Sequence, residues 1–190
     1  KILINRGEVE NAGANRSAPS YLNNPADERA RYANDTDKEM TLLKFVDSKG
    51  EIGTINWFAV HPTAMTFNNR LISGDHKGYA SYTFEEAKGS SHSGVEDFVA
   101  AFAQSNCGDV TANLNLNNTG PGKDEFETTK IIGERQLEVA MKLFEGASER
   151  IDGPIEIRHA YVDFSALTVA DAFTHAGEQQ TCPSAFGYAF

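Results

Sequence analysis

The sequence predicts a mixed α/β fold, in which helices flank a central mixed β-sheet. Short apolar runs typical of strands occur in both halves of the chain, and two of these runs are separated only by a polar turn. Two longer segments are predicted as helices and lie between strand-like runs. Because some strands follow each other directly and others are joined through a helix, we expect both hairpin and crossover connections in one sheet.

Strands dominate the first part of the chain. Residues 1–9 read as a strand that leads into a loop rich in asparagine and glycine. Residues 25–32 form a predicted short helix, with Asn24 as its N-cap and a proline at the first helical position. The apolar runs 40–46 and 52–60 flank the sequence Asp-Ser-Lys-Gly, which predicts a hairpin.

Helices and strands alternate in the rest of the chain. Residues 75–87 are predicted as a helix, and the unbroken apolar run 98–102 as a buried central strand. Residues 105–123, rich in asparagine and glycine, are predicted as loop. A helix with one apolar face follows over 124–144, and the alternating pattern of 155–162 predicts a further strand.

Composition limits the classes of protein to which the chain can belong. With 190 residues, 40% hydrophobic and 23% charged, it has the make-up of one ordinary globular domain. A net charge of −10 would repel a polyanion, so we expect no nucleic-acid partner. No apolar run approaches the roughly 18 residues that a membrane span requires. The chain opens within a strand-like run and stops abruptly, and we therefore expect residues 1–190 to be part of one larger domain, truncated at both ends.

His61 is the leading candidate for a metal ligand. It ends an apolar strand and precedes a proline, a position from which a neutral imidazole can reach a zinc ion at the rim of a sheet. The alternative is a core histidine with a satisfied hydrogen bond, and no second ligand lies at a local spacing. His76 and His92 are expected to be exposed, and His159 and His175 have no recognisable partner.

Two further residues are candidates for catalysis. Thr111 lies in a turn that directly follows a predicted buried strand, where α/β proteins bind ligands, and its hydroxyl could act as a nucleophile or a hydrogen-bond donor. The alternative is a purely structural turn built by Asp109 and Asn113. Arg16 follows the loop after the first strand and could clamp an oxyanion or a hydroxyl-bearing headgroup, although it could equally be an ordinary surface arginine.

An ordered series of motifs resembles the neutral ceramidases over nearly the whole chain. The motifs are, in order, Asn15-Arg16-Ser17, Ser20-Tyr21-Leu22-Asn23-Asn24-Pro25, Glu28-Arg29-Ala30-Arg31-Tyr32, Trp57-Phe58-Ala59-Val60-His61-Pro62, Gly78-Tyr79-Ala80, Phe98-Val99-Ala100-Ala101-Phe102, Gly108-Asp109-Val110 and Gly120-Pro121-Gly122. The resemblance implies a ceramidase-like catalytic domain and a zinc-dependent amidase that splits ceramide into sphingosine and a fatty acid. It also implies a membrane surface as the source of substrate and a secreted or extracellular-facing location.

The resemblance assigns a role to each candidate residue. His61 matches a zinc ligand, Arg16 an active-site arginine that orients substrate, and Thr111 the position of an essential serine. Threonine keeps the hydroxyl but is β-branched and stiffer at χ1. The remaining zinc ligands of the family belong to segments outside this chain, which implies that the chain alone is inactive. Cys182 matches a family cysteine whose partner also lies beyond the chain.

Two alternatives to the ceramidase stay open. One is a ceramidase-like sphingolipid-binding protein that has lost catalysis, with Thr111 as the sign of that loss. The other is an amidase that acts on a different N-acyl lipid.

Overall fold

A computed structural model describes residues 1–95 and 97–185 of the chain. The chain divides into two compact units, Lys1–Asp152 and Gly153–Phe190. None of the helices in the described part is long and apolar enough to cross a bilayer.

The first unit contains seven strands and four helices among the described residues. The strands are β1 (Ile2–Glu8), β2 (Ala14–Asn15), β3 (Glu39–Val46), β4 (Glu51–Phe58), β5 (Val99–Gln104), β6 (Val110–Thr111) and β7 (Glu149–Ile151). The helices are α1 (Ala18–Leu22), α2 (Ala26–Arg29), α3 (Asp75–Ala87) and α4 (Glu125–Gly146).

Five strands form the central sheet, in the order β5-β4-β3-β1-β7. β4 and β5 are parallel and the other neighbours are antiparallel, which confirms the predicted mixed sheet. β3 and β4 are the predicted hairpin, in which Leu43 pairs with Ile55. Asp47 Oδ1 accepts hydrogen bonds from the backbone N–H groups of Lys49 (2.6 Å) and Gly50 (3.0 Å), so the polar turn closes on its own first side chain.

The core lies between one face of this sheet and the helices α3 and α4. It is built by side chains from every layer, among them Met40, Leu42, Phe58, Phe84, Ala100, Ile132 and Phe144. The rings of Phe84 and Phe144 meet edge to face with centroids 5.5 Å apart, so that α3 and α4 are joined through aromatic packing. Asp124 caps α4 by accepting a hydrogen bond from Glu127 N (2.8 Å), at the predicted start of that helix.

Two predictions for the first unit were wrong in detail. The apolar run 98–102 belongs to β5, which is an edge strand rather than a central one: Ala100 is buried beneath α3, whereas Val99 is 59% exposed. The short helix α2 has Pro25 as its N-cap and no side-chain cap, and it ends at Arg29. Tyr32, which was expected to continue that helix, is 66% exposed and so gains little burial there.

The second unit has little regular structure in its described residues. It contains β8 (Thr168–Val169), α5 (Asp171–Thr174) and β9 (Gln179–Gln180), of which β8 and β9 are paired antiparallel, and His175 caps α5 in the left-handed conformation. The strand predicted over 155–162 is absent. Ile155 and Ile157 are both more than four-fifths exposed, so the alternating pattern has no buried face to stabilise a strand.

Candidate active site

The short strand β6 brings the three candidate residues together. On one side it pairs antiparallel with β2, which places Arg16 next to the turn, and the Arg16 N–H donates to Asp109 O (3.0 Å). On the other side His61 forms a parallel bridge with Thr111 and donates its N–H to Val110 O (2.9 Å). Arg16, His61 and Thr111 are therefore neighbours in space, although the sequence separates them by 45 and 50 positions.

His61 reaches this position because its strand leaves the sheet. Its two predecessors, Ala59 and Val60, are fully buried, and the proline that follows cannot donate a ladder hydrogen bond. The chain then turns sharply, since the Thr63 N–H donates back to His61 O (2.9 Å).

The imidazole of His61 is half-buried and faces the turn before β6. Its Nε2 lies 2.8 Å from Gly108 O, and because a carbonyl only accepts, Nε2 carries the proton in this contact. Gly108 has a φ of +45°, a conformation that glycine adopts without strain. Cys107 Sγ lies 3.4 Å from the same nitrogen, a contact that the sequence did not predict.

Thr111 takes part in two hydrogen bonds through its hydroxyl, one of them with its neighbour Thr63. Its side chain lies in a position that is only 4% exposed, and its Oγ1 lies 2.8 Å from Thr63 Oγ1. Thr111 Oγ1 also accepts from the Asn113 N–H (3.2 Å), and Thr63 Oγ1 accepts from the Ala112 N–H (3.3 Å). Thr63 is a site residue that sequence reasoning missed; its position two residues after His61 is the signal that could have pointed to it.

These hydroxyls line a polar cavity that adjoins an apolar cleft. The cavity has a volume of about 140 Å³ and is lined by Arg16, Thr63, Thr111, Asn113, Leu116 and Asn118. A cleft of about 470 Å³ shares three of these residues and adds the apolar side chains of Pro62, Met65 and Phe67. A larger cleft of about 540 Å³ lies over residues 31–39 and includes none of the three candidate residues.

His76, the second residue of α3, supports the backbone at His61. It is fully buried, so its predicted exposure was wrong. Gln136 Nε2 donates to His76 Nδ1 (2.8 Å), and His76 Nε2 therefore carries the proton and donates to His61 O (3.0 Å). Burial lowers the pKa of His76, which keeps the ring neutral and suited to this pair of contacts.

Two other residues in the first turn of α3 fix this helix against its surroundings, Asp75 through the loop after His61 and Lys77 through β4 and β5. Asp75, the first residue of α3, has a φ of +53°, and its carboxylate accepts from the Met65 N–H (2.8 Å). Lys77 is buried and donates to Phe58 O and Ala103 O, both at 3.0 Å. Burial lowers the pKa of Lys77 to about 8.

The described residues supply part of a metal shell at most. No three of their His, Cys, Asp or Glu side chains are grouped so as to hold an ion. His61 lines neither the cavity nor the cleft, but it lies beside Thr111 and fits the part of a single ligand through Nδ1, which carries no proton while Nε2 donates to Gly108 O. A complete tetrahedral site would need further groups.

Comparison with known proteins identifies the relatives of this chain. Residues 1–190 match the model of the family described as neutral/alkaline non-lysosomal ceramidase, N-terminal. The neutral ceramidase of Pseudomonas aeruginosa is 43% identical over 98% of this chain and 27% of its own length, and that of Oryza sativa is 36% identical over 100% of this chain and 36% of its own.

Two solved ceramidase structures superimpose on this chain. The crystal structure of neutral ceramidase from Pseudomonas aeruginosa superimposes with a TM-score of 0.81 at 40% identity, covering 99% of this chain and 29% of that one. A structure described as ceramidase complexed with C2 gives 0.83 at 40% identity, covering 98% of this chain and 28% of that one. The chain thus spans about a third or less of the length of the proteins that it matches.

Proposed function

The chain belongs to the neutral ceramidase family, and on that premise we propose that the protein carrying it hydrolyses the amide bond of ceramide. The products are sphingosine and a fatty acid. The chain is proposed to contribute one part of the active site, with residues 1–190 inside a larger catalytic domain, and to be inactive when isolated.

One observation carries this proposal: the polar cavity lined by Arg16 and Thr111 continues into an apolar cleft. Ceramide combines an amide with two long hydrocarbon chains. A cavity with hydroxyl and guanidinium groups suits the amide, and the cleft lined by Met65 and Phe67 suits the start of a hydrocarbon chain.

The three candidate residues have distinct proposed roles. Arg16 orients the substrate by hydrogen bonds to its oxygen atoms, since a guanidinium offers several donors in a fixed plane. The Thr111 hydroxyl interacts with the amide at the floor of the cavity. His61 holds one coordination position of a zinc ion, and the zinc, when bound, would polarise the carbonyl and activate water.

A membrane surface is the proposed source of substrate, because ceramide is a lipid of low solubility. The secreted or extracellular-facing location is proposed from the resemblance, and three Asn-x-Ser/Thr tripeptides, which begin at Asn15, Asn34 and Asn117, would be compatible with it.

The second candidate function is a sphingolipid-binding protein without catalysis. It is favoured by Thr111, since a β-branched residue in a site only 4% exposed has little freedom to move during a reaction. An amidase for another N-acyl lipid would use the same cavity with a different fit in the cleft.

The test is release of fatty acid from ceramide in detergent micelles by the full polypeptide that the gene encodes, with zinc supplied. We expect His61→Ala and Thr111→Ala to lower kcat/KM by at least about 100-fold. Thr111→Ser should keep activity, and His92→Ala serves as the control for loss of a histidine outside the site. Full activity in His61→Ala would refute the ligand assignment. Ceramide binding without any release of fatty acid would favour the binding protein.

A further inference from the structure

Thr63 is the nearest polar neighbour of Thr111 in the candidate site. Its Oγ1 lies 2.8 Å from Thr111 Oγ1, and both side chains line the cavity of about 140 Å³ that also includes Arg16. Thr63 has no role in the function proposed so far.

Either hydroxyl can be the donor in this 2.8 Å contact. A hydroxyl has one proton and two lone pairs. The Thr63 proton has two acceptors within reach: Thr111 Oγ1 at 2.8 Å and His61 O at 3.4 Å. In one arrangement Thr63 donates to Thr111 over the shorter distance, which is typical of a good O–H···O bond. In the other, Thr111 donates to Thr63 and Thr63 donates to His61 O over the longer distance.

The arrangement in which Thr63 donates leaves the Thr111 hydroxyl with a single function toward a ligand. One lone pair of its Oγ1 accepts from the Asn113 N–H at 3.2 Å, and the other accepts from the Thr63 hydroxyl. The proton of Thr111 is then the only part of the hydroxyl that is available to a ligand in the cavity. A nucleophile needs a free lone pair, and a hydrogen-bond donor needs a free proton.

We propose that Thr63 donates to Thr111 when substrate is bound, and that it is thereby a positioning residue, which directs the Thr111 hydroxyl as a hydrogen-bond donor toward the amide oxygen of the substrate. The proposal rests on the proposed ceramide hydrolysis and specifies how Thr111 takes part in it. Negative charge grows on the amide oxygen as the carbonyl is attacked, so a donor held in place by Thr63 stabilises the transition state more than the bound substrate. Thr111 forms no covalent bond to the acyl group.

The test compares variants of the full polypeptide in ceramide hydrolysis. Thr63→Val removes the donor and nearly keeps the shape of the side chain. We expect it to lower kcat by roughly 10-fold to 100-fold with little change in KM, because a transition-state interaction is lost. Thr63→Ser keeps the hydroxyl and should have the kcat of the wild type. A role that depended only on the shape of the threonine side chain would not explain this result.

A double-mutant cycle and a mass measurement complete the test. In a Thr111→Val background, Thr63→Val should have no further effect on kcat, because the two hydroxyls act as one unit. Wild-type protein quenched during turnover should carry no acyl group on Thr111; this measurement does not depend on how well the variants fold, and melting temperatures check that they do.

Three results would overturn the inference while leaving the proposed function intact: wild-type kcat in Thr63→Val, additive losses in the cycle, or an acyl ester on Thr111. If the wild-type polypeptide releases no fatty acid at all, the proposed function itself fails, and the role of Thr63 fails with it.

Discussion

His76 shows how a single buried side chain sets the position of the candidate ligand. Its ring connects Gln136 of α4 with the backbone of His61, and it is neutral because burial lowers its pKa. The nearby Asp75 carboxylate acts in the opposite direction and the Lys77 ammonium in the same direction, but burial is the largest influence. The backbone at His61 therefore depends on an uncharged ring.

This state of His76 predicts a loss of stability in acid. The pKa of His76 in the folded chain lies below the ordinary value of 6.5. Between these two pKa values the ring is protonated in the unfolded chain but not in the folded chain. The contribution of the neutral ring to the free energy of unfolding is fully present above pH 6.5. As the pH falls below 6.5, this contribution decreases by up to about 1.4 kcal/mol per pH unit, until the pKa of the folded chain is reached. Urea unfolding of the chain between pH 8 and pH 5 measures it.

The matched control for this measurement is His76→Gln, which keeps a polar side chain but cannot titrate. Its free energy of unfolding should fall less steeply below pH 6.5 than that of the wild type. Equal slopes for the two proteins would show that His76 is not the group responsible.

At the residue scale, the sequence indicated the candidate residues but not the buried residues that hold them in place. His61, Thr111 and Arg16 were chosen because each lies at the end of an apolar run or in a turn, and because the order of motifs is specific. The structure brings them together, and their roles stay predictions. The burial of His76 could not be predicted, since it depends on Gln136, which lies 60 positions away. A polar residue at a helix start is usually exposed, and only the packing of two helices reverses that expectation.

At the element scale, the position of α3 against α4 decides where His76 lies. The two helices approach closely at Gly133, where an added Cβ would lie 2.6 Å from Tyr79 Cδ1 and 2.9 Å from His76 O. The second of these atoms belongs to the backbone and cannot move aside without shifting the start of α3. A glycine here is a requirement of helix packing.

Gly133→Ala should therefore destabilise the chain, although alanine normally favours a helix interior by about 1 kcal/mol over glycine. We expect a loss of about 1–3 kcal/mol from overpacking, measured as the free energy of unfolding in urea. Gly78→Ala is the matched control, because a Cβ on Gly78 of α3 would meet nothing within 4 Å. It should be neutral or stabilising, and similar losses in both variants would contradict the packing argument.

The elements themselves could be predicted where the signal was local. The hairpin turn closes on Asp47 and the long helix starts at Asp124, and both features are visible in the sequence alone. The edge position of β5 and the absence of a strand over 155–162 depend on which strands are available to pair. Strand pairing is a property of the whole sheet, and alternating side chains alone do not determine it.

At the scale of the whole molecule, all the candidate residues lie within the unit Lys1–Asp152. That unit supplies a guanidinium and two hydroxyls around one cavity, and the imidazole of His61 beside Thr111. Its described residues supply no complete metal shell. The relatives are about three times as long as this chain or more. Which functional groups come from this chain and which from the rest of such a protein can therefore be tested directly.

We predict that metal binding requires the full polypeptide and His61 together. After purification with zinc and dialysis, the full polypeptide should retain about one zinc per molecule by elemental analysis, because a structural or catalytic site uses three or four protein ligands. His61→Ala should retain much less zinc. His92→Ala, which removes a histidine that instead contacts Glu85 and Tyr82, should retain as much as the wild type. The isolated chain of 190 residues should lose its zinc on dialysis, since a single imidazole binds the ion weakly. A His61→Ala protein that keeps its full zinc content would remove His61 from the metal site and leave Arg16, Thr63 and Thr111 to act on the substrate without it.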